Sequence, residues 1–507
     1  MLAGRRTILH NSNLYSHHLT RVIISVITII FNIMEQSSSY TIVIGLNPAL
    51  QKRFILSSKT PILTPGNVHR ASEIQEGIGG KGQDVYVALH CLSTTSTVPS
   101  DSSASITTST MNTNINNNSQ VRSTTNKDNS AHLVKLAQFL GKGNEGDSVL
   151  SYFLNRYDSN MDLSLTIRTK EKLRICTTII NCENSLLSDE SNFSGTELVE
   201  PSGTILPDEV EELRQSLKSM MMGNNMSDDD DGRGPSIRGV CIMGSMPPGC
   251  PSILYADLYR TILSKQVGQG FSGSTKVPLC MIDSVVGLDH LFHEMNLNRN
   301  ESNKTNMIKI NMAELCKITG TKFAVQEVAN AEIDQVRTAM KALYHKFPES
   351  RYALAYVAIT NGMFPAFMIH VNNNNDMADE KVKDDIIYRF SIPTLSQLRI
   401  PVTDNNSDVS MGGTMKLFTI GAGDAVTAST LAAWEYLMNR KGEQRLDETV
   451  RASLLKRVVF GDDIANTAFS FGLACGTASC IEKENSVFNI SIALQLFEQM
   501  ERPVRVI

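Results

Sequence analysis

Short apolar runs alternate with amphipathic segments along most of the chain. Runs rich in β-branched and apolar residues predict six strands: TIVIGL (41–46), RGVCIMGS (238–245), VPLCMID (277–283), NMIKIN (306–311), LAYVAIT (354–360) and AFMIHV (366–371). Helical spacing of apolar residues predicts helices between and after them, at 252–264, 332–347, 423–440 and 464–475. Strands that alternate with helices favour a parallel sheet with helices on both faces.

Polar segments rich in Ser, Thr, Asn or Asp interrupt this pattern five times, at 93–131, 222–236, 298–305, 372–385 and 403–413. Such a composition buries too little apolar surface to offset the entropy of the chain, so we expect disordered surface insertions. The run of four aspartates at 228–231 is then predicted to be a solvated loop and not a metal site.

The first 34 residues contain Arg5, Arg6 and Arg21 but no acidic residue, and end in an apolar run at 22–33. That run is too short to cross a bilayer comfortably, so no stable membrane span is expected. Two interpretations stay open: a leader that targets an organelle such as a plastid or mitochondrion, or a spurious extension upstream of Met34. The folded domain is expected at 35–502.

Composition narrows the class of protein. Of the 507 residues, 41% are hydrophobic, which is enough for a sizeable core. The formal net charge of −5 gives no basic footprint, so nucleic acid is not an expected partner. The nine cysteines form no CxxC pair and no Cys/His ligand spacing, which favours a reducing compartment and a cytoplasmic location.

The loop TIGAGD (419–424) stands directly before an apolar helix. The backbone N–H groups of Gly421, Ala422 and Gly423 could approach an anion closely, and the helix that starts there adds the positive end of its dipole. Asp424 could then take a proton from a hydroxyl that attacks phosphorus. Taken alone, however, the loop favours a simpler interpretation, an aspartate that caps the helix.

A second glycine-rich turn, IGGKGQDVYVAL (78–89), follows the first predicted strand and also opens a helix. Lys81 lies there beside Gly80 and Gly82. The turn does not fit the spacing of a P-loop, and by itself it is a weak signal.

Seven motifs follow one another along the chain: TIVIGLNPALQKRF (41–54), PGNVHRA (65–71), IGGKGQDVYVAL (78–89), TELVEPSG (196–203), GSMPPGCPSILYADL (244–258), KINMAEL (309–315) and FTIGAGDA (418–425). In this order they resemble the ribokinase-type (PfkB) carbohydrate kinases. The likeness is greatest to the branch that phosphorylates sugar phosphates, such as 1-phosphofructokinase, tagatose-6-phosphate kinase and the minor 6-phosphofructokinase. It extends from about Tyr40 to Phe497.

The resemblance implies a ribokinase-like three-layer α/β fold with a mostly parallel central sheet. It also implies a small β-sheet lid, at about 53–78 and 172–200, and a homodimer through this lid would be compatible with the family. The implied reaction is ATP-dependent, Mg²⁺-requiring phosphoryl transfer to a hydroxyl of a hexose phosphate, with fructose 6-phosphate or fructose 1-phosphate favoured. Two alternatives remain: a kinase of an unphosphorylated sugar, and a catalytically silent binding or regulatory protein.

The family's residues for phosphoryl transfer map onto several positions. By resemblance Asp424 is the general base, and Gly421, Ala422 and Gly423 form the anion hole. Asn311 and Glu314, in NMAE, match the family's Mg²⁺ motif, which holds the ion through water. The expected ATP-binding residues are Thr360, Gly362, Ala474 and Gly476, although core packing is an equally open interpretation for all of these except Gly362.

The acceptor side is expected to use Gln51, Arg70, Gly80, Lys81, Asp84, Arg174 and Ser245, where the cations suit a phosphate dianion. Two positions depart from the family, which usually has aspartate at Gln51 and asparagine at Asp84. One carboxylate and one carboxamide are nevertheless kept. Our hypothesis is that the exchange preserves the hydrogen bonds to the sugar hydroxyls.

A different enzyme class is suggested by GKGNEG (141–146), which formally matches a dinucleotide fingerprint, with Asp162 as the ribose acid. The kinase resemblance accounts for the same residues as the turn after the family's second strand.

Overall fold

The computed structural model describes residues 39–56, 66–93, 133–156, 162–180, 195–222, 236–268, 277–298, 305–322, 329–372, 385–395, 417–439 and 446–506. The expected leader at 1–34 lies outside the described residues. The five expected insertions also lie outside them, apart from the terminal residues of four.

The strands are β1 (Ser39–Ile44), β2 (Ala49–Leu56), β3 (Ala71–Gly79), β4 (Leu133–Gly141), β5 (Thr166–Thr169), β6 (Ile175–Ile180), β7 (Gly195–Val199), β8 (Ser236–Met243), β9 (Leu279–Asp283), β10 (Asn306–Asn311), β11 (Tyr356–Asn361), β12 (Phe364–His370), β13 (Ile386–Phe390) and β14 (Val504–Arg505). The six strands predicted from the sequence correspond to β1 and β8 to β12, with ends that differ by about two residues.

The helices are α1 (Lys81–Ser93), α2 (Asn144–Arg156), α3 (Pro207–Met222), α4 (Leu254–Gly268), α5 (Leu288–Leu297), α6 (Met312–Thr319), α7 (Ala329–Lys346), α8 (Ser350–Ala353), α9 (Ala422–Asn439), α10 (Glu448–Val459), α11 (Ile464–Ser479) and α12 (Ile490–Gln499). The four predicted helices correspond to α4, α7, α9 and α11.

The central sheet has ten strands in the order β14-β13-β12-β11-β10-β9-β8-β1-β4-β5. Its strands are parallel from β5 to β11, and the edge formed by β12, β13 and β14 is antiparallel. Both faces are buried: along β1, Val43 packs into one apolar cluster while Ile42 and Ile44 pack into another. The predicted fold class, a mostly parallel sheet between helical layers, is confirmed.

A separate sheet of four strands has the order β3-β2-β6-β7. Its strands come from the two segments that the sequence assigns to a lid, although β2 begins earlier, at Ala49. Side chains alternate along β2, and Gln51, Arg53 and Ile55 share one face, where each is at most 5% exposed.

Helices α9 and α11 pack closely because Gly472 and Gly476 carry no side chain. A Cβ atom at Gly472 would lie 2.1 Å from Thr430 Oγ1, and one at Gly476 would lie 2.5 Å from Val426 Cγ2. This packing fixes the start of α9, which contains Asp424. Within the described ranges, no helix combines the length and apolar character that a membrane crossing requires.

Candidate active site

A cavity of about 380 Å³ opens where the carboxyl ends of several parallel strands meet the starts of α1 and α9. This is the usual place for a ligand in an open parallel sheet, and the volume suits a small molecule. The predicted site residues that line it are Gln51, Gly80, Lys81, Asp84, Arg174, Ser245, Glu314, Gly421 and Asp424. The fold therefore brings together most of the acceptor side and the candidate base.

The other predicted site residues lie elsewhere. Arg70 is exposed just before β3. Ala422 and Gly423 are the first two residues of α9. Asn311 caps α6, and Thr360 lies beside it on β11.

Among the predicted nucleotide residues, Gly362 is in the turn between β11 and β12 with φ +60°. Ala474 is fully buried in the core, and Gly476 packs against α9. Packing explains the identity of the last two residues, and their role toward ATP stays a prediction.

Asp424 lies in the first turn of α9 and is 9% exposed. Burial and the nearby Asp283 carboxylate raise the pKa of Asp424 from 3.8 to about 7, although the ammonium groups of Lys81 and Lys309 act in the opposite direction. A carboxylate with a pKa near 7 is suited to general-base chemistry at neutral pH.

Below Asp424 lies a cluster of buried charges centred on Asp283, which is 1% exposed at the end of β9. Its carboxylate accepts hydrogen bonds from Lys81 Nζ at 2.7 Å, Lys309 Nζ at 2.7 Å and Thr427 Oγ1 at 2.9 Å. Burial alone would raise the pKa of Asp283, but Lys309 and Lys81 hold it at about 2. Asp283 therefore stays ionised and fixes both lysines.

Lys81 connects this cluster to Glu314, whose Oε1 it contacts at 3.1 Å. Glu314 also completes a capping box at the start of α6: Asn311 Oδ1 accepts from Glu314 N at 2.8 Å, and Glu314 Oε2 accepts from Asn311 N at 3.2 Å. The Asn311 side chain is thus occupied in holding the helix. Glu314 is the member of the pair that faces the cavity.

The side chains near Glu314 fit Mg²⁺ only as a hydrated ion that is held by one carboxylate. In the described part of the chain, no group of three or more His, Cys, Asp and Glu side chains is arranged to hold a metal ion. Glu314 does offer one cavity-facing carboxylate, 26% exposed. A single carboxylate suits a Mg²⁺ ion that keeps several waters and is bound mainly by substrate phosphates.

In the loop TIGAGD (419–424), the backbone at Gly421 has a conformation that only glycine adopts easily. Gly421 has φ +83°, and a Cβ atom there would lie 2.7 Å from Ser486 N. The Ser486 hydroxyl donates to the Gly421 carbonyl at 2.7 Å, which anchors the loop. Within the loop, the Ala422 amide donates to the Thr419 carbonyl at 3.3 Å, a long bond that an anion could replace.

On the side of the small sheet, Gln51 donates from Nε2 to Thr178 Oγ1 at 2.8 Å. Asp84 is 4% exposed on α1, and burial together with Asp424 raises its pKa well above the usual range. The Asn485 side chain hydrogen-bonds the Asp84 carboxylate, yet Asp84 Oδ1 and Asn485 Oδ1 are buried without a partner. These two acceptors suit hydroxyl groups of a ligand.

Asn47 organises the opposite wall. Its Nδ2 donates to Ser245 Oγ at 3.0 Å, and its Oδ1 accepts from Ser202 Oγ at 2.8 Å. Arg174 donates from Nη2 to the Asn47 carbonyl at 2.9 Å and from Nε to the Pro48 carbonyl at 3.3 Å. The predicted phosphate clamp Arg174 is thus held against the loop after β1.

Sequence reasoning missed Asp283, Lys309 and Thr427, which complete the charge cluster. Two of them carried a signal. Asp283 ends the apolar run VPLCMID, and Lys309 interrupts NMIKIN, so each is a charged residue within a buried strand. Buried charges normally need a partner.

The dinucleotide alternative finds little support in the geometry around GKGNEG. The glycines there serve packing: a Cβ atom at Gly141 would lie 2.2 Å from Leu173 N, and one at Gly146 would lie 1.8 Å from the Gly141 carbonyl oxygen. The proposed ribose acid, Asp162, instead accepts from Lys135.

No protein-family model and no curated protein matches the chain. Solved structures do. A possible 1-phosphofructokinase from Thermotoga maritima matches with TM-score 0.52 and 13% identity, over 92% of this chain and 100% of the other. Ribokinase from Giardia lamblia matches with TM-score 0.51 and 11% identity, over 90% and 99%. At these identities the likeness concerns the fold, and the chain therefore has the ribokinase-like fold of these sugar kinases.

Proposed function

We propose that this chain is a carbohydrate kinase, a phosphotransferase that moves the γ-phosphoryl group of ATP to a hydroxyl of a hexose phosphate. The observation that carries the proposal is Asp424. Asp424 has a pKa of about 7 and lies in the first turn of α9, directly after Gly421, Ala422 and Gly423, where it lines the cavity. Fructose 6-phosphate or fructose 1-phosphate is the favoured acceptor.

In the proposed reaction, Asp424 accepts the proton of the acceptor hydroxyl while the hydroxyl oxygen bonds to the γ-phosphorus. The bond between that phosphorus and the bridging oxygen breaks, and ADP leaves. The amides at Gly421, Ala422 and Gly423, with the positive end of α9, stabilise the charge on the transferred group. Lys81, held by Asp283, adds a fixed positive charge at the same wall.

Glu314 would hold hydrated Mg²⁺, which neutralises the nucleotide phosphates when bound. The matching Asn311 acts through Glu314, because its own side chain caps α6. Thr360, Gly362, Ala474 and Gly476 remain the proposed nucleotide side. For Ala474, which is fully buried, this role can only be indirect packing behind the pocket.

On the acceptor side, Gln51, Gly80 and Asp84 would meet the sugar, and Arg174, Ser245 and Lys81 its phosphate. Arg70 is exposed away from the lining residues, and it would join them only if the small sheet closes over the ligand. Such closure would exclude water from the reaction. An unphosphorylated sugar is the second candidate acceptor, since Arg174 already has carbonyl partners.

We also propose that the small sheet pairs with a second copy of this chain. The face opposite Gln51 carries Ile74 and Leu198, which are 60% and 56% exposed. Burial of these side chains in a dimer would be favourable. Sedimentation of the double variant Ile74→Asp with Leu198→Asp should give a lower mass than the wild type if this surface is the interface.

The function is tested by ADP release from the full chain with Mg-ATP and a panel of acceptors. The panel contains fructose 6-phosphate, fructose 1-phosphate, tagatose 6-phosphate, fructose and ribose. We expect turnover with one phosphorylated sugar and its loss in Asp424→Asn. Turnover with free sugars alone would exclude the phosphate clamp, and no turnover across the panel would favour a non-catalytic binding protein.

A further inference from the structure

A smaller cavity of about 40 Å³ lies beside the cavity of about 380 Å³, which we call the acceptor cavity. Gln51 and Asn485 line both cavities. We call it the side cavity. By this measure one water needs about 10–15 Å³, so there is room for about three waters or one small polyatomic group. Its walls combine apolar and polar side chains, and the charged residues among them are two cations and two acids: Arg53, Lys483, Glu76 and Glu484.

Arg53 is the unusual residue of this wall. It follows Gln51 by two positions on β2, so both side chains point from the same face of the small sheet. It is 5% exposed, its Nε is buried without a hydrogen-bond partner, and burial lowers its pKa. Within the described ranges Arg53 also takes part in no ion pair. A buried cation in this state is costly unless an anion compensates it.

The nearest carboxylates do not fill that need. Glu484 accepts from Tyr152 Oη at 2.8 Å through one oxygen and pairs with Arg156 at 2.8 Å through the other. Asp84 attracts Arg53 electrostatically but is hydrogen-bonded by Asn485 instead. Neither carboxylate hydrogen-bonds the Arg53 guanidinium, although Asp84 Oδ1 is itself buried without a partner.

A buried Arg donor beside a cavity of this size suits an oxyanion, because a guanidinium presents N–H donors in a geometry that matches phosphate and carboxylate groups. Lys483, whose ammonium lies 3.3 Å from Glu73, adds a second cation to the wall. We propose that the side cavity binds one phosphate-type oxyanion through Arg53.

Two sources of that oxyanion share the same chemistry: free inorganic phosphate, or the phosphate group of the acceptor in the neighbouring cavity. The second source rests on the proposed function. It would make Arg53, and not only Arg174, a residue that selects a phosphorylated acceptor. Binding of inorganic phosphate tests the site itself, whether or not the chain is a kinase.

The first experiment is a calorimetric titration of the full chain with inorganic phosphate. We expect Arg53→Gln to weaken the binding by about 10- to 100-fold, as the loss of a charged hydrogen bond predicts. Arg53→Lys, which keeps the charge but not the Nε donor, should lie between the two. The matched control is Lys170→Gln, which removes an exposed charge outside the walls of the side cavity and should bind as the wild type does.

Phosphate that binds Arg53→Gln and the wild type equally well, or binds neither, would overturn the proposal. Thermal unfolding of each variant is measured in parallel, so a variant that misfolds is recognised. Because Arg53 makes no ion pair within the described ranges, its removal should leave the unliganded Arg53→Gln at least as stable as the wild type. A strongly destabilised Arg53→Gln would instead indicate a structural role and also overturn the proposal.

The second experiment identifies the source through kcat/KM for a sugar phosphate and for the corresponding free sugar. A loss in Arg53→Gln that is confined to the phosphorylated acceptor supports the acceptor's phosphate as the ligand. An equal kcat/KM in Arg53→Gln and wild type for both acceptors contradicts that assignment and leaves free phosphate. If neither acceptor is turned over by the wild type, the proposed function fails, while the phosphate titration still decides the fate of the site.

Discussion

The two sides of the acceptor cavity treat buried charge in opposite ways. On the side of the central sheet, Asp283 accepts three hydrogen bonds, and both lysines that contact it are fixed by this carboxylate. On the side of the small sheet, Asp84 and Asn485 in the acceptor cavity and Arg53 in the adjoining side cavity are all more than 90% buried, and each leaves one polar atom without a partner.

The difference indicates which buried side chains hold the structure and which would contact a ligand. A fully satisfied polar network stabilises one geometry and holds groups such as Lys81 in place before any ligand arrives. Buried polar atoms without partners cost stability and are uncommon in folded proteins. Where such atoms also border a cavity, as these three do, a ligand could supply the missing hydrogen bonds.

The largest expected effect comes from a substitution on the side of the central sheet, where the buried charges are hydrogen-bonded to one another. Asp283→Asn removes the anion that compensates Lys309, which is 5% exposed. Loss of one partner of a buried ion pair costs about 3–5 kcal/mol in the free energy of unfolding. Urea denaturation measures the change.

The control for this variant is Asp289→Asn, in which the carboxylate side chain is 66% exposed and only 3.7 Å from a histidine nitrogen. It should change the free energy of unfolding by less than about 0.5 kcal/mol. The contrast between the two walls would not hold if Asp283→Asn were as mild as this control.

The pH dependence of the reaction provides the next largest effect. With a pKa of about 7, Asp424 must lose its proton to act as a base, so kcat/KM should fall about tenfold per pH unit below pH 7 and level off above it. Stability should change in the opposite direction. Because the folded pKa lies above the unfolded value of 3.8, the contribution of Asp424 to folding is complete below about pH 4 and is lost as pH rises through about 7.

Steady-state rates and thermal unfolding between pH 5 and 9 check both expectations, at about 0.1 M salt. Asp424→Asn should abolish turnover and reduce the pH dependence of stability. A rate profile that is flat through pH 7 would exclude Asp424 as the titrating base.

Substitutions on the side of the small sheet should have a smaller effect. Gln51→Asp and Asp84→Asn should each lower kcat/KM, whereas the double variant should recover much of the activity if the two groups face one sugar. We expect a coupling of about 0.5–3 kcal/mol in the double-mutant cycle. Additive losses would mean that the two positions act independently and that the exchange is not compensatory.

The smallest effect on stability is expected at the edge of the satisfied cluster. Glu314→Gln weakens the contact with Lys81, but the side chains are 26% and 32% exposed, so the cost should be below about 1 kcal/mol. The apparent affinity for Mg²⁺ should nevertheless fall about tenfold, as measured by activity against free Mg²⁺. An unchanged Mg²⁺ dependence would remove the assigned role of Glu314.

The periodicity of the sequence was sufficient for six of the ten strands of the central sheet, and β4, β5, β13 and β14 were not predicted from it. Strands such as β9 and β10 are buried on both faces and show as continuous apolar runs, and the resemblance to sugar kinases added the small sheet. The placement of Asp424 at the start of a helix after glycines also follows from local sequence alone. These features depend on residues that are neighbours in the chain.

The partners of charged side chains could not be predicted in this way. Asp283 and Lys309 are 26 positions apart and meet because β9 and β10 lie side by side, while Lys81 reaches the same carboxylate from 202 positions away. Arg70 and Arg53 both lie in the segment that the sequence assigns to the lid, yet of the two only Arg53 is buried, next to the side cavity. Such differences depend on the packing of distant segments.

The contact between Gly45 and Gly82 places a limit on any attempt to transplant this site. A Cβ atom at Gly45 would lie 2.2 Å from the Gly82 Cα, and one at Gly82 would lie 2.4 Å from the Gly45 Cα. Two backbones touch here, so the end of β1 sets the distance at which α1 begins. A designed scaffold that borrowed Lys81 and Asp84 without both glycines would hold them too far from Asp424, however well the catalytic side chains were chosen.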